Sequence, residues 1–146
     1  MYTKILVPLD GSARAEKILA HVEDLALKYG ARVSVMQVVE PIVTVSSADV
    51  FIPETDSFAA KMENAQIYLN AVKQRLTEKG IDAHTRVVSG SIVEAICQTA
   101  EIEKADLIAL ASHGRTGAAR VFYGSVAAGV LHRVNRPLLI IRARSG

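Results

Sequence analysis

The stretch KILVPLDGS, residues 4–12, places a short run of apolar and β-branched side chains directly before an Asp-Gly-Ser cluster. A run of this length that ends in turn-forming residues is typical of a buried strand followed by a turn. From Ala15 to Ala26, apolar residues then recur at helical spacing. Ser12 can cap this helix, and Gly30 gives it a stop signal. The chain is therefore predicted to begin with a strand, a turn and a helix.

The same alternation of strand and helix patterns continues to the end of the chain. Further strands are predicted where short runs are apolar, β-branched or alternating, at residues 32–39, 83–88, 106–111 and 137–142. Further helices are predicted from apolar spacing and end signals, between Ser57 and Gly80, after Ser91, and from Ser125 to around Asn135. Alternation of this kind predicts a doubly wound α/β domain, with a parallel sheet and helices on both faces.

Two local features refine this scheme. Residues 41–57 show no clean period and hold two prolines, so we interpret them as one long connection between a strand and a helix. Ser91 and Glu94 have the spacing of a capping box at the start of the third helix.

Composition bounds the class of protein. The 146 residues are 50% apolar and 22% charged, which suits one globular domain, residues 1–146, with a real core. The 17 basic and 15 acidic residues give a net charge of only +2, without the long charge runs of a nucleic-acid arm or membrane patch. A single cysteine, Cys97, suits a reducing compartment. We expect a soluble cytoplasmic protein that binds neither nucleic acid nor membrane, since no signal peptide or spanning stretch is present.

Polar, glycine-bearing segments follow three of the predicted strands, at residues 10–12, 89–91 and 112–114. In open parallel sheets, ligands bind beyond the carboxyl ends of the strands, where the strand order reverses. These segments therefore form the candidate binding site.

The segment at residues 112–114 suggests phosphate binding. Nine residues follow Gly114, and Gly124 and Ser125 come next. The helix that begins there would present unpaired amides, and a glycine lets a phosphate approach the backbone. Neither G-x-x-x-x-G-K-[ST] nor G-x-G-x-x-G occurs. From the spacing alone the simpler interpretation is a plain helix start with Ser125 as N-cap. Both interpretations stay open at this point.

Over essentially its whole length the chain resembles the universal stress protein family. The resemblance rests on KILVPLDGS, on the strand and helix order, on ASHGRTGAARVFYGSV, residues 111–126, and on NRPLLIIR, residues 135–142. The nucleotide-binding branch of that family carries the motif G-x₂-G-x₉-G-[ST]. Its last two glycines fall here on Gly114 and Gly124, and its hydroxyl residue on Ser125, whereas Ala111 stands in place of the first glycine.

This resemblance implies a Rossmann-like fold of the adenine nucleotide alpha hydrolase type, with five strands in the order 3-2-1-4-5. It also implies an ATP site with Mg²⁺. Asp10 would lie near the phosphates or the metal ion, Gly114 and Arg115 along the ribose and phosphate path, and Gly124, Ser125 and Val126 around the triphosphate. The complete set of implied cofactor-binding residues is Pro8, Leu9, Asp10, Val38, Ala111, His113, Gly114, Arg115, Gly124, Ser125 and Val126. Pro8, Leu9 and the backbone near Val38 would border the adenine.

The last predicted strand, which begins at Pro137 and ends at Arg142, would be an edge strand in that order. It is continuously apolar from Leu138 to Ile141, and such an edge promotes aggregation unless it is covered. In the family this strand pairs with its copy in a second subunit, so we expect a homodimer. The alternative is that residues 142–146 shield the edge.

Three interpretations of function follow. The first is an ATP-binding stress or signalling module with at most slow hydrolysis, because no clear general base or arginine finger is visible. The second is a nucleotide-free dimeric interaction module of the same fold, which Ala111 favours. The third and weakest is a nucleotidyl transferase or hydrolase, since a fold alone does not fix a function. Protein partners are left unidentified by the sequence.

Overall fold

The computed structural model describes residues 1–41, 55–112 and 124–143. For residues 55 and 56 it describes the backbone alone. The strands are β1 (Lys4–Pro8), β2 (Arg32–Val39), β3 (Ala83–Ser89), β4 (Leu107–Ser112) and β5 (Leu138–Arg142). A 3₁₀ turn (Ala15–Ile18) leads into α1 (Leu19–Tyr29), followed along the chain by α2 (Thr55–Glu78), α3 (Ile92–Glu103) and α4 (Ser125–Arg133).

The strands form one parallel sheet in the order β3-β2-β1-β4-β5, which confirms the predicted fold class. Alternate residues of β1 face opposite sides. Ile5 and Val7 belong to the core under α1 and α2, whereas Leu6 belongs to the core on the other face, with α3 and α4. Both cores are needed because a parallel sheet buries both of its faces.

The turn and cap signals have mixed outcomes. Gly30 ends α1 with φ 65°, as predicted. Ser12 Oγ accepts a hydrogen bond from the amide of Ala15 (3.1 Å), but Ala15 begins the 3₁₀ turn, and α1 itself has no side-chain cap, so the Ser12 prediction holds for the 3₁₀ turn alone. Ser91 is the N-cap of α3, but the capping-box prediction is wrong in its bonding. The Ser91 hydroxyl lies 3.4 Å from a Glu94 carboxylate oxygen, which draws it away from the helix amides.

The predicted connection at residues 41–57 is too long at its end, because α2 already begins at Thr55. Polar residues open this helix, so its apolar period starts only at Phe58 and conceals the first turn. Residues 42–54 lie outside the described part of the chain.

Gly129 lets α4 pack closely against α3. A Cβ at this position would lie 2.7 Å from Cγ2 of Val93. We predict that Gly129→Ala lowers the free energy of unfolding by about 1 kcal/mol, because overpacking of about 1–3 kcal/mol exceeds the gain of about 1 kcal/mol in helix propensity. Urea denaturation measures the effect. In a Val93→Ala background the same substitution should stabilise the protein, and an equal effect in both backgrounds would contradict the packing explanation.

Candidate functional site

The candidate site lies at the edge of the sheet where the parallel strands β1, β2 and β4 end. The amide of Leu9 donates to the carbonyl of Met36 (2.8 Å), which keeps the chain after β1 beside β2. The strand order reverses between β1 and β4, where ligands of such sheets bind. Because α4 carries the chain back from the end of β4, its N-terminus lies at the same edge. The fold therefore brings the β1 turn and the start of α4 to one end of the sheet.

The turn after β1 is organised by Asp10. Its Oδ1 accepts hydrogen bonds from the amide (2.9 Å) and the hydroxyl (2.6 Å) of Ser12. Gly11 has φ 86°, a backbone conformation that favours glycine. Asp10 is exposed, so the turn places a carboxylate at the mouth of the candidate site.

The residues expected to border the adenine differ in their exposure. Leu9 is 5% exposed and belongs to the core under α1 and α2, so only its backbone can border a ligand. Pro8 and Val38 are partly exposed. Val38 packs at the margin of the other core, on the side of α3 and α4.

At the start of α4 the prediction that Ser125 is the N-cap is wrong. Gly124 is the N-cap, with φ 75° and ψ 146°, and no side chain caps the helix. Ser125 is the first residue of the helix, is exposed, and makes no hydrogen bond through its hydroxyl to another described residue. Val126 packs against the core of that face. The amides of the first turn and the Ser125 hydroxyl thus remain available to an anion.

Ala111 stands where the nucleotide-binding motif has its first glycine. Its methyl group packs against the core on the side of α1 and α2, near Ile141. That core is on the opposite side of the sheet from α4, since the neighbouring residue Leu110 belongs to the core with α4. His113, Gly114 and Arg115 lie outside the described residues and stay predictions.

A cleft that the sequence did not reveal opens between the end of β2 and α2. Its volume is about 550 Å³, and its walls include Gly11, Gln37, Val38, Lys61, Asn64 and Tyr68. Gln37 Oε1 is buried and has no hydrogen-bond partner among the described residues. The one available signal was a single amide side chain within the apolar strand RVSVMQVV.

Behind this cleft, a hydrogen-bonded cluster joins α2 to the 3₁₀ turn. Tyr68 Oη donates to Glu16 Oε2 (2.7 Å), and Arg75 Nη2 donates to Glu16 Oε1 (2.7 Å). Burial and the hydrogen bond to Glu16 raise the pKa of Tyr68, and the charge of nearby Asp10 adds to this rise. The cluster therefore fixes one wall of the cleft to the segment that carries Asp10.

Glu16 provides a pH-dependent test of that cluster. Burial raises the pKa of Glu16, but hydrogen bonds from Tyr68 and Arg75 outweigh burial and leave the pKa below its ordinary value. A lowered pKa stabilises the fold above the unfolded-state pKa, and this stability is lost as the pH falls through the folded-state pKa. We expect Glu16→Gln to be about 1 kcal/mol less stable at neutral pH, and this difference to shrink as the pH falls below about 4, the ordinary range of a glutamate pKa.

Urea denaturation from acid to neutral pH measures this difference. Glu63→Gln, at an exposed position on α2, is the matched control and should show no such trend. A destabilisation by Glu16→Gln that stays constant with pH would contradict the account.

Among the described residues there is neither a metal-binding cluster nor a membrane-spanning helix. Within residues 1–41, 55–112 and 124–143, no group of three His, Cys, Asp or Glu side chains is arranged to hold a metal ion. Across the same ranges, helices of the length and apolar character required to cross a bilayer are absent.

The sheet order and the glycine-led helix at the carboxyl edge define a Rossmann-like α/β domain. Sequence comparison then gives the family: the chain belongs to the universal stress protein family, whose sequence model matches residues 1–142. Universal stress protein YxiE of Bacillus subtilis is 34% identical over 149 residues, which covers 97% of this chain and 100% of the relative.

Two solved structures extend the comparison. Protein MJ0577 of Methanocaldococcus jannaschii has a TM-score of 0.79 and 27% identity, and the match covers 100% of this chain and 99% of that one. A universal stress protein in complex with cAMP has a TM-score of 0.69 and 24% identity, with 98% of each chain covered. The second likeness bears on the fold alone.

Proposed function

We propose that this chain is a cytoplasmic, homodimeric stress-response or signalling protein that binds ATP with Mg²⁺ at the carboxyl edge of the sheet. The observation that carries the proposal is the start of α4. There Gly124, with φ 75° and no side chain, precedes a helix whose first hydroxyl, on Ser125, is exposed and unpaired among the described residues.

The phosphate chemistry follows from this geometry. Amides of the first helical turn have no partner within the helix, and the helix dipole adds positive potential at that end. Gly124 lets a phosphate oxygen approach without a Cβ in its path, and Ser125 adds a hydroxyl donor. Val126 holds the turn in place by packing against the core. We propose that Gly114 and Arg115 complete the phosphate path and that His113 lies beside it.

Asp10 suits a magnesium ion that is held mainly by phosphates. Mg²⁺ is usually bound by one or two carboxylates together with substrate phosphates and water, so a protein cage of three ligands is not required. Asp10 is exposed at the right edge, and its Oδ1 is oriented by Ser12. When bound, the ion would neutralise phosphate charge.

The base is proposed to lie beside Pro8, the Leu9 backbone and Val38. A universal stress protein has been solved in complex with cAMP, so at least one member of this family binds an adenine nucleotide, and we propose the same ligand class here. The neighbouring cleft offers Gln37 Oε1, a buried acceptor without a partner among the described residues, to an N–H donor of the ligand. An unpaired buried acceptor is unfavourable by about 1–3 kcal/mol, so a donor there would add to the affinity.

Ala111 is proposed to be compatible with binding. Its methyl group packs against the core on the side away from α4, so it does not extend toward the proposed phosphate path. The alternative function, a nucleotide-free dimeric interaction module, depends on Ala111 alone, and this packing weakens it. We propose at most slow hydrolysis, because the sequence offers no clear general base for water and no arginine finger.

The homodimer is proposed to form through β5, which is an edge strand. The Pro137 carbonyl accepts from the Ile108 amide, and the Ala143 amide donates to Ser112, so odd-numbered residues point their backbone groups toward β4. In a parallel strand the backbone groups of alternate residues point to opposite sides. Those of Leu138 and Ile140 therefore point outward, where a second copy can pair with them.

Calorimetric titration tests the proposal with ATP, ADP, AMP and cAMP, each with and without Mg²⁺. We expect one nucleotide per subunit, with ATP strengthened by the metal. Absence of binding for all four would contradict the proposal and leave the dimeric interaction module as the function.

A further inference from the structure

A second cleft lies at the opposite edge of the sheet, where the strands begin. Its volume is about 510 Å³, within the usual range for small-molecule sites. The floor is formed by the first residues of β1, β2 and β3, and the rim by residues 102–105 at the end of α3. It is separate from the site proposed for nucleotide, which lies beyond the strands' carboxyl ends.

Positive charge is concentrated in this cleft. Four basic side chains and one carboxylate line it, namely Lys4, Arg32, Arg86, Lys104 and Glu103. The formal charge of these five side chains is +3 when His84 is counted as neutral. Asp82, which is hydrogen-bonded to Arg32 and His84, reduces the charge of the region to +2.

Part of this charge has no internal partner. Arg86 is paired with Glu103 (2.6 Å) and Arg32 with Asp82 (3.0 Å). Lys4 and Lys104, by contrast, form no ion pair through their ammonium groups with any described residue. The nearby Asp106 is engaged by the Thr3 hydroxyl and by the amides of Thr3 and Lys4.

A serine hydroxyl faces the same cleft. Ser34 is only 6% exposed and lines the cavity, in register with Leu6 on one side and His84 on the other. Its hydroxyl makes no hydrogen bond to a described residue. Because Ser34 lines the cleft, this hydroxyl can donate to a ligand bound there.

We propose that this cleft binds a small, multiply charged oxyanion, such as a phosphorylated metabolite, between Lys4, Lys104 and Ser34. The negative end of the α3 dipole borders the cleft, so an anion must be held by side chains, not by helix amides. The Ser34 hydroxyl on the floor and the unpaired ammonium groups of Lys4 and Lys104 suit an oxyanion that accepts several charge-assisted hydrogen bonds. The site is independent of nucleotide binding at the other edge.

Inorganic pyrophosphate is the probe, followed by amide NMR shifts of the full chain at constant ionic strength. We expect saturable shifts at Ser34, Arg86 and Lys104. The double substitution Lys4→Gln/Lys104→Gln should raise Kd about tenfold or more, and Ser34→Ala about threefold to tenfold. The matched control, Lys28→Gln/Lys73→Gln, removes the same charge from the helices on the other face and should leave Kd within about twofold.

Three results would overturn the proposal. Shifts confined to Gly124 and Ser125 would assign the anion to the other edge. Shifts that do not saturate, or that sodium chloride reproduces, would show general screening only. Equal weakening by the control pair would show that total charge, not the cleft, attracts the anion.

Discussion

The double substitution Gly124→Val/Ser125→Ala is expected to abolish adenine-nucleotide binding, with a loss of at least about a hundredfold in affinity. Valine places a branched side chain where the phosphates must approach the first helical turn, and alanine removes the hydroxyl donor at the same point. Both effects act on the triphosphate, which supplies the charge that the helix end attracts. Calorimetry with Mg-ATP measures the loss.

The geometry of Gly124 requires a control for folding. With φ 75°, any other residue there is strained, and a β-branched one is strained most, so α4 will be locally destabilised in the double variant. Ser125→Ala alone leaves the backbone conformation unchanged and should weaken binding about threefold to tenfold. Thermal unfolding of both variants separates loss of fold from loss of the site. Unchanged affinity in a folded double variant would exclude this helix end as the phosphate site.

The second large effect is expected at β5, where Ile140→Pro should convert the dimer to a monomer. The backbone groups of Ile140 point away from β4, so proline removes no hydrogen bond of the sheet and deletes a donor that a partner strand would use. Sedimentation velocity at micromolar concentration measures the result.

Ile140→Ala is the matched control, because it removes most of the side chain and keeps the amide. We expect that variant to remain dimeric. A parent protein that sediments as a monomer would contradict the dimer outright. A dimer retained by folded Ile140→Pro would show that the subunits associate through another surface.

Much of the fold was predictable because the signals are local. Arg32–Val39 is strand over its entire predicted length, and Gly30 ends α1 as its position indicated. The alternation of period two and period 3.6 is enough to give a parallel sheet with helices on both faces. The strand order came only from the family resemblance, since no local pattern states which strands are neighbours.

The site was less predictable, because its details depend on contacts between distant segments. The pattern around Gly124 indicated a helix start, yet whether Gly124 or Ser125 caps it is decided by backbone dihedrals. The direction of the Ala111 methyl group likewise depends on which core lies beneath β4. Gln37 was overlooked because a single amide within an apolar strand cannot be assigned to a cleft until the position of α2 beside it is known.

The most direct test of nucleotide binding is to purify the protein without added nucleotide, denature it, and identify the released small molecules by chromatography and mass spectrometry. The account predicts near-stoichiometric ATP or ADP from the parent and none from Gly124→Val/Ser125→Ala. A parent protein that releases no nucleotide, and that also fails to bind added Mg-ATP, would contradict it.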